Sequence, residues 1–210
     1  MYQRFLKRFF DICGALILCI PVLFIIAIVG PVIYFEDRGS IFYHAERVGR
    51  NGRCFKMFKL RSMRMNAPDI RLADGSTYNG EDDPRVTRIG RIIRKTSIDE
   101  LPQVFNVLIG DMSFIGPRPD PVDWLERYPD EYRGFLAVRP GITGYSQAYF
   151  RNGADGLQKM QNDLYYAENL SFWMDVKILL QTVRTVLMHE NIYKDEPAVE
   201  QEEKETIQIK

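Results

Sequence analysis

Two adjacent carboxylates, Asp99 and Glu100, are the residues whose type and position most clearly suggest chemistry. They stand just before an apolar segment, 104–109, that has the length of a short helix. Pro102 fits the first turn of such a helix, where its missing N–H would have had no partner. The pair would then lie at the positive end of the helix dipole. It could serve as ordinary capping, with Ser97 and Glu100 as a capping box, or as a metal-binding or catalytic pair.

Fixed positive charges recur around this pair. Arg118, Arg139 and Arg151 lie in turns rich in proline or glycine, and a stiff turn lowers the entropy cost of holding a guanidinium in place. Arg94 ends a series of arginines at helical spacing, and Lys59 lies on a predicted strand beside apolar neighbours. Each alone could be a solvated surface residue. Together they suit a bound pyrophosphate with a divalent ion held by the carboxylates.

The elements that would carry these groups are readable from local patterns. Segments 41–44 and 54–60 read as strands around Asn51-Gly52, a strong signal for a β-hairpin turn. Arginines at 85, 88, 91 and 94 predict a helix with a basic ridge over an apolar stripe. The polar segment 67–84 reads as a mobile loop, and a lid is one use for it.

A helix is predicted over 171–188, with Ser171 as its N-cap. It could lie in a membrane interface with Trp173 at headgroup depth, or pack on the domain core. Asp163 and Asp175 are interpreted as surface or capping acids, with a supporting position behind the site as the alternative.

The N-terminal segment 12–35 carries no charge over 24 residues, and about 20 apolar residues suffice to cross a bilayer. A full span, a re-entrant helix and a buried core helix are the alternatives. Pro21 lies in mid-segment, where it can bend the helix. Cations flank both ends, with eight lysines and arginines against three acids over 36–64. The positive-inside rule then asks for both ends in the cytoplasm, so we predict a kinked, hairpin-like re-entrant helix.

Composition excludes several classes of protein. The 210 residues carry a net charge of zero, which does not favour nucleic acid as a partner. Three cysteines without a CxxC pair predict no disulfide framework, and two histidines far apart predict no zinc site. The last 21 residues hold seven acids against three lysines and read as a disordered acidic tail.

Four motifs in order resemble the bacterial sugar transferases, and more narrowly the small monotopic polyprenyl-phosphate phosphoglycosyl transferases. They are FKLRSM at 58–63, TSIDELPQ at 96–103, GDMSFIGPRP at 110–119 and RPGITG at 139–144. The resemblance covers about residues 1–189. One departure concerns the membrane helix, which in the family breaks at a Ser-Pro pair, whereas Ile20 precedes Pro21 here.

The resemblance implies transfer of a sugar-1-phosphate from a UDP-sugar to undecaprenyl phosphate, with Mg²⁺ and release of UMP. This would be the first membrane step of capsule, lipopolysaccharide or glycoprotein glycan assembly, upstream of other glycosyltransferases. By similarity, Asp99 is the nucleophile and Glu100 its partner, and both are candidate Mg²⁺ ligands. The basic positions that match the family's substrate-facing residues are Lys59, Arg94, Arg118 and Arg151, with Arg139 as a further candidate.

We therefore expect a single, mostly helical α+β domain at the cytoplasmic face of the bacterial inner membrane. The expected divisions are a re-entrant membrane helix at 1–36, a catalytic domain at 37–189 and the acidic tail at 190–210. Two alternatives stay open. In one, Asp99 and Glu100 only hold Mg²⁺ while the lipid phosphate attacks directly. In the other, the chain is a non-catalytic module that binds anionic membrane lipid through its arginines.

Overall fold

The structure, a computed structural model of the chain, describes residues 2–71, 78, 80, 82–150 and 156–188. Over these residues it is mostly helical, with two small two-stranded sheets. Its α-helices are α1 Lys7–Asp37, α2 Arg88–Lys95, α3 Gln103–Ile109, α4 Tyr145–Tyr149, α5 Gly156–Glu168 and α6 Phe172–Met188. Its strands are β1 Phe42–Val48, β2 Cys54–Leu60, β3 Ser113–Ile115 and β4 Gly141–Thr143. Shorter helical turns cover Tyr2–Leu6, Arg50–Gly52, Ile98–Glu100, Val122–Trp124 and Asp130–Ala137.

Helix α1 crosses the whole charge-free segment as one continuous helix of 31 residues and contains both Pro21 and Pro31. It is long and apolar enough to span a membrane. Many of its apolar side chains are exposed, among them Ile20 and Phe24, and such a surface suits lipid better than water. The sequence predicted a kinked, hairpin-like re-entrant helix; the helix continues through Pro21 and Pro31 without an interruption, and re-entry stays a prediction. A proline removes one backbone hydrogen bond, and the neighbouring bonds can carry the helix past it.

The predicted hairpin is confirmed, because β1 and β2 pair antiparallel with Tyr43 opposite Lys59. Its connection contains Asn51 at φ 56° and Gly52 at φ 75°, left-handed conformations that Asn and Gly tolerate best. β1 continues to Val48, beyond the predicted end at residue 44. Pairing with β2 supports these later residues, whose own strand signal is weak.

Strands β3 and β4 form a parallel pair that the sequence analysis missed. Ser113 lies opposite Gly141 and Ile115 opposite Thr143, and the Gly116 N–H donates to Thr143 O at 2.8 Å. A Cβ at Gly116 would collide with the backbone that leads into β4, so the close approach requires glycine. The pair fixes the turn that follows β3, which carries Arg118.

Helix α3 is held between α1 and the hairpin by apolar packing. The buried residues of this cluster are Ala15, Val22, Met57, Val104, Val107 and Met112. Arg8 at the start of α1 donates to Val107 O at 2.6 Å and to Leu108 O at 2.9 Å. These bonds satisfy carbonyl groups at the C-terminal end of α3, where a cation also complements the helix dipole.

Asp175 in the first turn of α6 joins three elements. Its carboxylate accepts hydrogen bonds from Lys7 Nζ at 2.6 Å and from the Tyr166 hydroxyl at 2.8 Å. Asp163 on α5 lies 3.3 Å from Lys159 Nζ. Both acids are buried, so their interpretation as surface residues is wrong. Ser171 does cap α6, because its Oγ accepts from Met174 N at 3.3 Å.

Candidate active site

The turn Ile98–Glu100 directly precedes α3 and places the two carboxylates at the N-terminal end of that helix, as predicted. Asp99 is buried, with 3% of its surface exposed. The predicted capping box is wrong, because Ser97 adopts a left-handed φ of 58° and its side chain makes no capping hydrogen bond. Instead, Glu100 binds cations that come from other elements.

Lys59 is the cation that contacts both carboxylates. Its Nζ lies 3.0 Å from Asp99 Oδ2 and 3.3 Å from Glu100 Oε1. Its position near the end of β2, on a paired strand, fixes the direction in which the side chain leaves the sheet. The structure therefore brings the predicted lysine to the predicted acids.

Arg118 binds both carboxylate oxygens of Glu100. Its two terminal nitrogens lie 2.6 Å from Glu100 Oε1 and 3.2 Å from Glu100 Oε2, which is the bidentate geometry of an arginine–carboxylate pair. Arg118 stands between Pro117 and Pro119 in the turn after β3, where the restricted backbone limits the positions open to its guanidinium. This ion pair connects the turn after β3 to the N-terminal end of α3.

The two carboxylates differ in pKa. Burial acts to raise the pKa of Glu100, but Arg118 and then Lys59 more than offset it and hold that pKa well below its usual range. At Asp99 burial prevails, so its pKa is raised even though Lys59 pulls it down, and the charge of Glu100 adds to the rise. At Asp99 the surrounding cations offset its burial only in part, which leaves it the more basic carboxylate of the two.

Arg94, at the end of α2, also lies near the pair. Its Nε donates to Ser62 Oγ at 2.9 Å, and its charge lowers the pKa of Asp99. Arg85 does not belong to the predicted arginine ridge, because it precedes α2 and is buried in an ion pair with Asp83 at 2.7 Å. The helical spacing of the ridge therefore holds only from residue 88 onward.

Arg139 is not brought to the carboxylates. Its Nε donates to Gly110 O at 2.9 Å, and Gly110 is the C-cap of α3, at the end opposite the acidic pair. Arg139 does not line the cleft that holds the two carboxylates and its Nε satisfies a helix-terminal carbonyl, so its substrate-facing role stays a prediction. Arg151 lies outside the described residues, and so do residues 72–77, 79 and 81 of the loop suggested as a lid.

One cleft of about 1000 Å³ is lined by Asp99, Glu100, Lys59, Arg94 and Arg118 together. Leu18 of α1 also lines it, so the cleft reaches the apolar helix. Its further polar wall includes residues that sequence reasoning missed, namely Arg47, Ser62, Asp120, Gln147 and Lys159. Arg47 lies on β1, and the predicted strand ended at residue 44; a strand prediction extended to residue 47 would have included it.

The carboxylates of Asp99 and Glu100 form a candidate site for a divalent ion. No group of three or more potential metal ligands of the His, Cys, Asp and Glu types occurs in the described part of the chain. Mg²⁺ commonly takes only one or two carboxylates and completes its shell with substrate phosphates and water. Asp99 and Glu100 supply that number, so the residues fit Mg²⁺ in company with a phosphate-bearing ligand.

Comparison with known proteins gives a consistent set of relatives. The family model described as bacterial sugar transferase matches residues 2–189. The chain is 43% identical over 203 residues to an undecaprenyl-phosphate galactose phosphotransferase of Salmonella typhimurium, covering 91% of this chain and 42% of the relative. It is 40% identical over 192 residues to a UDP-N-acetylgalactosamine-undecaprenyl-phosphate N-acetylgalactosaminephosphotransferase of Aeromonas hydrophila, covering 87% and 44%.

A shorter relative matches over nearly its whole length. The uncharacterized sugar transferase EpsL of Bacillus subtilis is 40% identical over 187 residues, which cover 89% of this chain and 90% of that protein. By contrast, the chain spans less than half the length of the Salmonella and Aeromonas relatives. Relatives of both sizes therefore share the region that holds the cleft.

Proposed function

The chain belongs to the bacterial sugar transferase family, and on this premise we propose that it transfers a sugar-1-phosphate from a UDP-sugar to undecaprenyl phosphate and releases UMP. The observation that carries the proposal is the buried Asp99 beside Lys59 in a cleft that Leu18 of α1 also lines. A water-soluble diphosphate needs fixed cations, and a polyprenyl phosphate needs a route from the membrane. This cleft has the residues for both.

The covalent route uses Asp99 as nucleophile. A carboxylate oxygen attacks the β-phosphorus, the bond from that phosphorus to the bridging oxygen breaks, and UMP leaves with the electron pair. An oxygen of undecaprenyl phosphate then attacks the same phosphorus, and its bond to the Asp99 oxygen breaks, which restores the carboxylate. Lys59 and Arg94 stabilise charge on the transferred phosphoryl group, while Arg118 holds Glu100 ionised beside it.

Asp99 and Glu100 would hold Mg²⁺ together with oxygens of the diphosphate, and the ion would neutralise charge on the phosphates. The direct route differs in one respect, because there the lipid phosphate attacks the donor and Asp99 serves only as a metal ligand. The raised pKa of Asp99 favours the covalent route, since a more basic carboxylate is a better nucleophile once it is ionised.

For the membrane, we propose that residues 1–36 form a re-entrant helix and residues 37–189 a catalytic domain at the cytoplasmic face of the inner membrane. The support is the exposed apolar surface of α1 together with cations at both of its ends. Two outward-facing aromatic residues of α6, Phe172 and Trp173, could add an interfacial contact.

The sugar is left open, because relatives of similar identity are named for galactose and for N-acetylgalactosamine. A screen of UDP-sugars with undecaprenyl phosphate and Mg²⁺, measuring UMP release and label transfer to lipid, tests the proposal. We expect one or a few donors to react with the wild type and none with Asp99→Asn. Binding to anionic vesicles without any UMP release would favour the lipid-binding module and contradict the enzyme.

A further inference from the structure

Arg47 is a half-buried cation whose guanidinium has no direct hydrogen-bond or ion-pair partner in the part of the chain that the structure describes. Its Nε is fully buried. The other cations of the same wall are bound, since Arg118 holds Glu100 at 2.6 Å and Lys159 holds Asp120 at 2.6 Å. A buried charge without a partner is costly.

The position of Arg47 is fixed by the fold. It lies on β1 and bridges to Pro121, while the next residue, Val48, donates its N–H to Asp120 O at 2.9 Å. The Asp120 carboxylate is itself bound by Lys159 and by the Tyr128 hydroxyl at 2.9 Å. Asp120 acts to raise the pKa of Arg47, but its carboxylate is already hydrogen-bonded to other donors, so the N–H groups of the arginine are left for a ligand.

Arg47 continues a row of cations that begins at the nucleophile. Lys59 contacts Asp99, and Arg118 contacts Glu100. Arg47 and Arg118 line the same cleft, and burial first and then the charge of Arg118 lower the pKa of Arg47, although Tyr43 and Asp120 act to raise it. Two neighbouring cations at the wall of a cleft repel each other unless an anion lies between them.

We propose that Arg47 binds the phosphate of the departing nucleotide, beside Arg118 and away from the attacked phosphorus. This inference rests on the proposed function, because the donor must be a nucleoside diphosphate sugar. When the bond between the β-phosphorus and the bridging oxygen breaks, the electron pair stays on that oxygen and the charge of the leaving phosphate grows. A guanidinium that has no other acceptor can take up this charge without first breaking an ion pair.

The test measures binding of UMP and of uridine, which lacks the phosphate, to the full chain in detergent by ligand-observed NMR titration. Arg47→Gln should raise the dissociation constant for UMP about tenfold, in line with the loss of a charged hydrogen bond, and leave that for uridine unchanged. The matched control is Arg53→Gln, because Arg53 is an exposed arginine that follows the same hairpin turn and does not line the cleft. It should bind both ligands as the wild type does.

The outcomes separate this inference from the proposed function. If the wild type neither binds UMP nor releases it from UDP-sugars, the proposed function fails. If the wild type does both and Arg47→Gln binds UMP as tightly, only the assignment of Arg47 is overturned. An equal loss of UMP and uridine would indicate a damaged pocket and would overturn it too.

Discussion

Asp99 and Glu100 are sequence neighbours that the fold gives opposite electrostatic surroundings. Glu100 is clamped by Arg118 and Lys59 and has a depressed pKa, whereas Asp99 contacts Lys59 and has a raised one. Glu100, which is bound by both cations, is suited to stay ionised and organise the site. Asp99 is suited to react. Sequence reasoning found the pair but could not divide the roles by electrostatics, because the clamp comes from a turn 18 residues away.

Asp163 is a second buried acid with a strongly perturbed pKa. Burial raises its pKa to about 6, although Lys159 at 3.3 Å pulls it down. Because this is above the ordinary aspartate value of 3.8, the folded chain binds more protons than the unfolded chain between those two pH values. The contribution of this carboxyl to stability therefore falls as the pH rises to about 6 and stays low above it.

We expect Asp163→Asn to raise the thermal midpoint at pH 7.5 by several degrees, because it removes a buried charge worth about 1–3 kcal/mol. The gain should shrink as the pH falls through about 6, where the wild-type carboxyl becomes neutral. Melting curves of both proteins from pH 5 to 8 check this. A variant that is less stable than the wild type by the same amount at every pH would contradict the pKa assignment.

Among the helices and strands, α3 is the one that positions the two carboxylates. Its N-terminal end follows the two acids, and its C-terminal end is bound by Arg8 and Arg139. Both arginines donate to backbone carbonyls, so the helix is fastened to α1 and to the segment before β4. A shift of α3 would move Asp99 relative to Lys59.

The contact between Arg139 and the end of α3 predicts that a substitution there changes stability and leaves the KM unchanged. Arg139→Met should lower the free energy of unfolding by about 1 kcal/mol, because Gly110 O loses a partly buried hydrogen-bond donor, and should leave the KM for the UDP-sugar unchanged. Arg118→Met serves as the contrast, because it should impair the turnover of the protein that remains folded. Urea unfolding and steady-state kinetics of both variants measure this. A raised KM with wild-type stability for Arg139→Met would return this arginine to the substrate site.

Local elements were predictable, and the contacts between distant elements were not. The hairpin is encoded by Asn51-Gly52 and strand alternation, and α3 by its apolar run and Gly110. β3 and β4 have three residues each and pair across 28 positions, too short and too distant to leave a periodic signal. The contact of Arg139 with Gly110 O could not be predicted either, since a turn motif does not reveal what its arginine contacts.

At the scale of the whole molecule, α1 connects the cleft to an exposed apolar surface. Its exposed face is apolar along most of its length, while Leu18 lines the cleft and Arg8 binds α3. Under the proposed function, the same helix would anchor the chain and shape the site, and it would give a lipid phosphate a short path from the bilayer to Asp99.

The re-entrant proposal predicts that both termini face the cytoplasm. Epitope tags at residues 1 and 210 should both resist protease added to intact spheroplasts and should both be digested after permeabilisation. Pro21→Leu restores the backbone N–H donor that proline lacks, which favours a straight helix, and should move part of the population toward a full span. Digestion of the wild-type C-terminal tag from outside would exclude re-entry.

The most direct test of the central claim is rapid-quench measurement of UMP from a reactive UDP-sugar before any undecaprenyl phosphate is added. A nucleophilic Asp99 predicts a burst of UMP that approaches one equivalent per active enzyme and a phosphosugar on the peptide containing Asp99. Asp99→Asn should abolish both, whereas Asp130→Asn, at an exposed aspartate far along the chain, should keep both. Sequential kinetics without a burst would contradict covalent catalysis and leave Asp99 as a metal ligand.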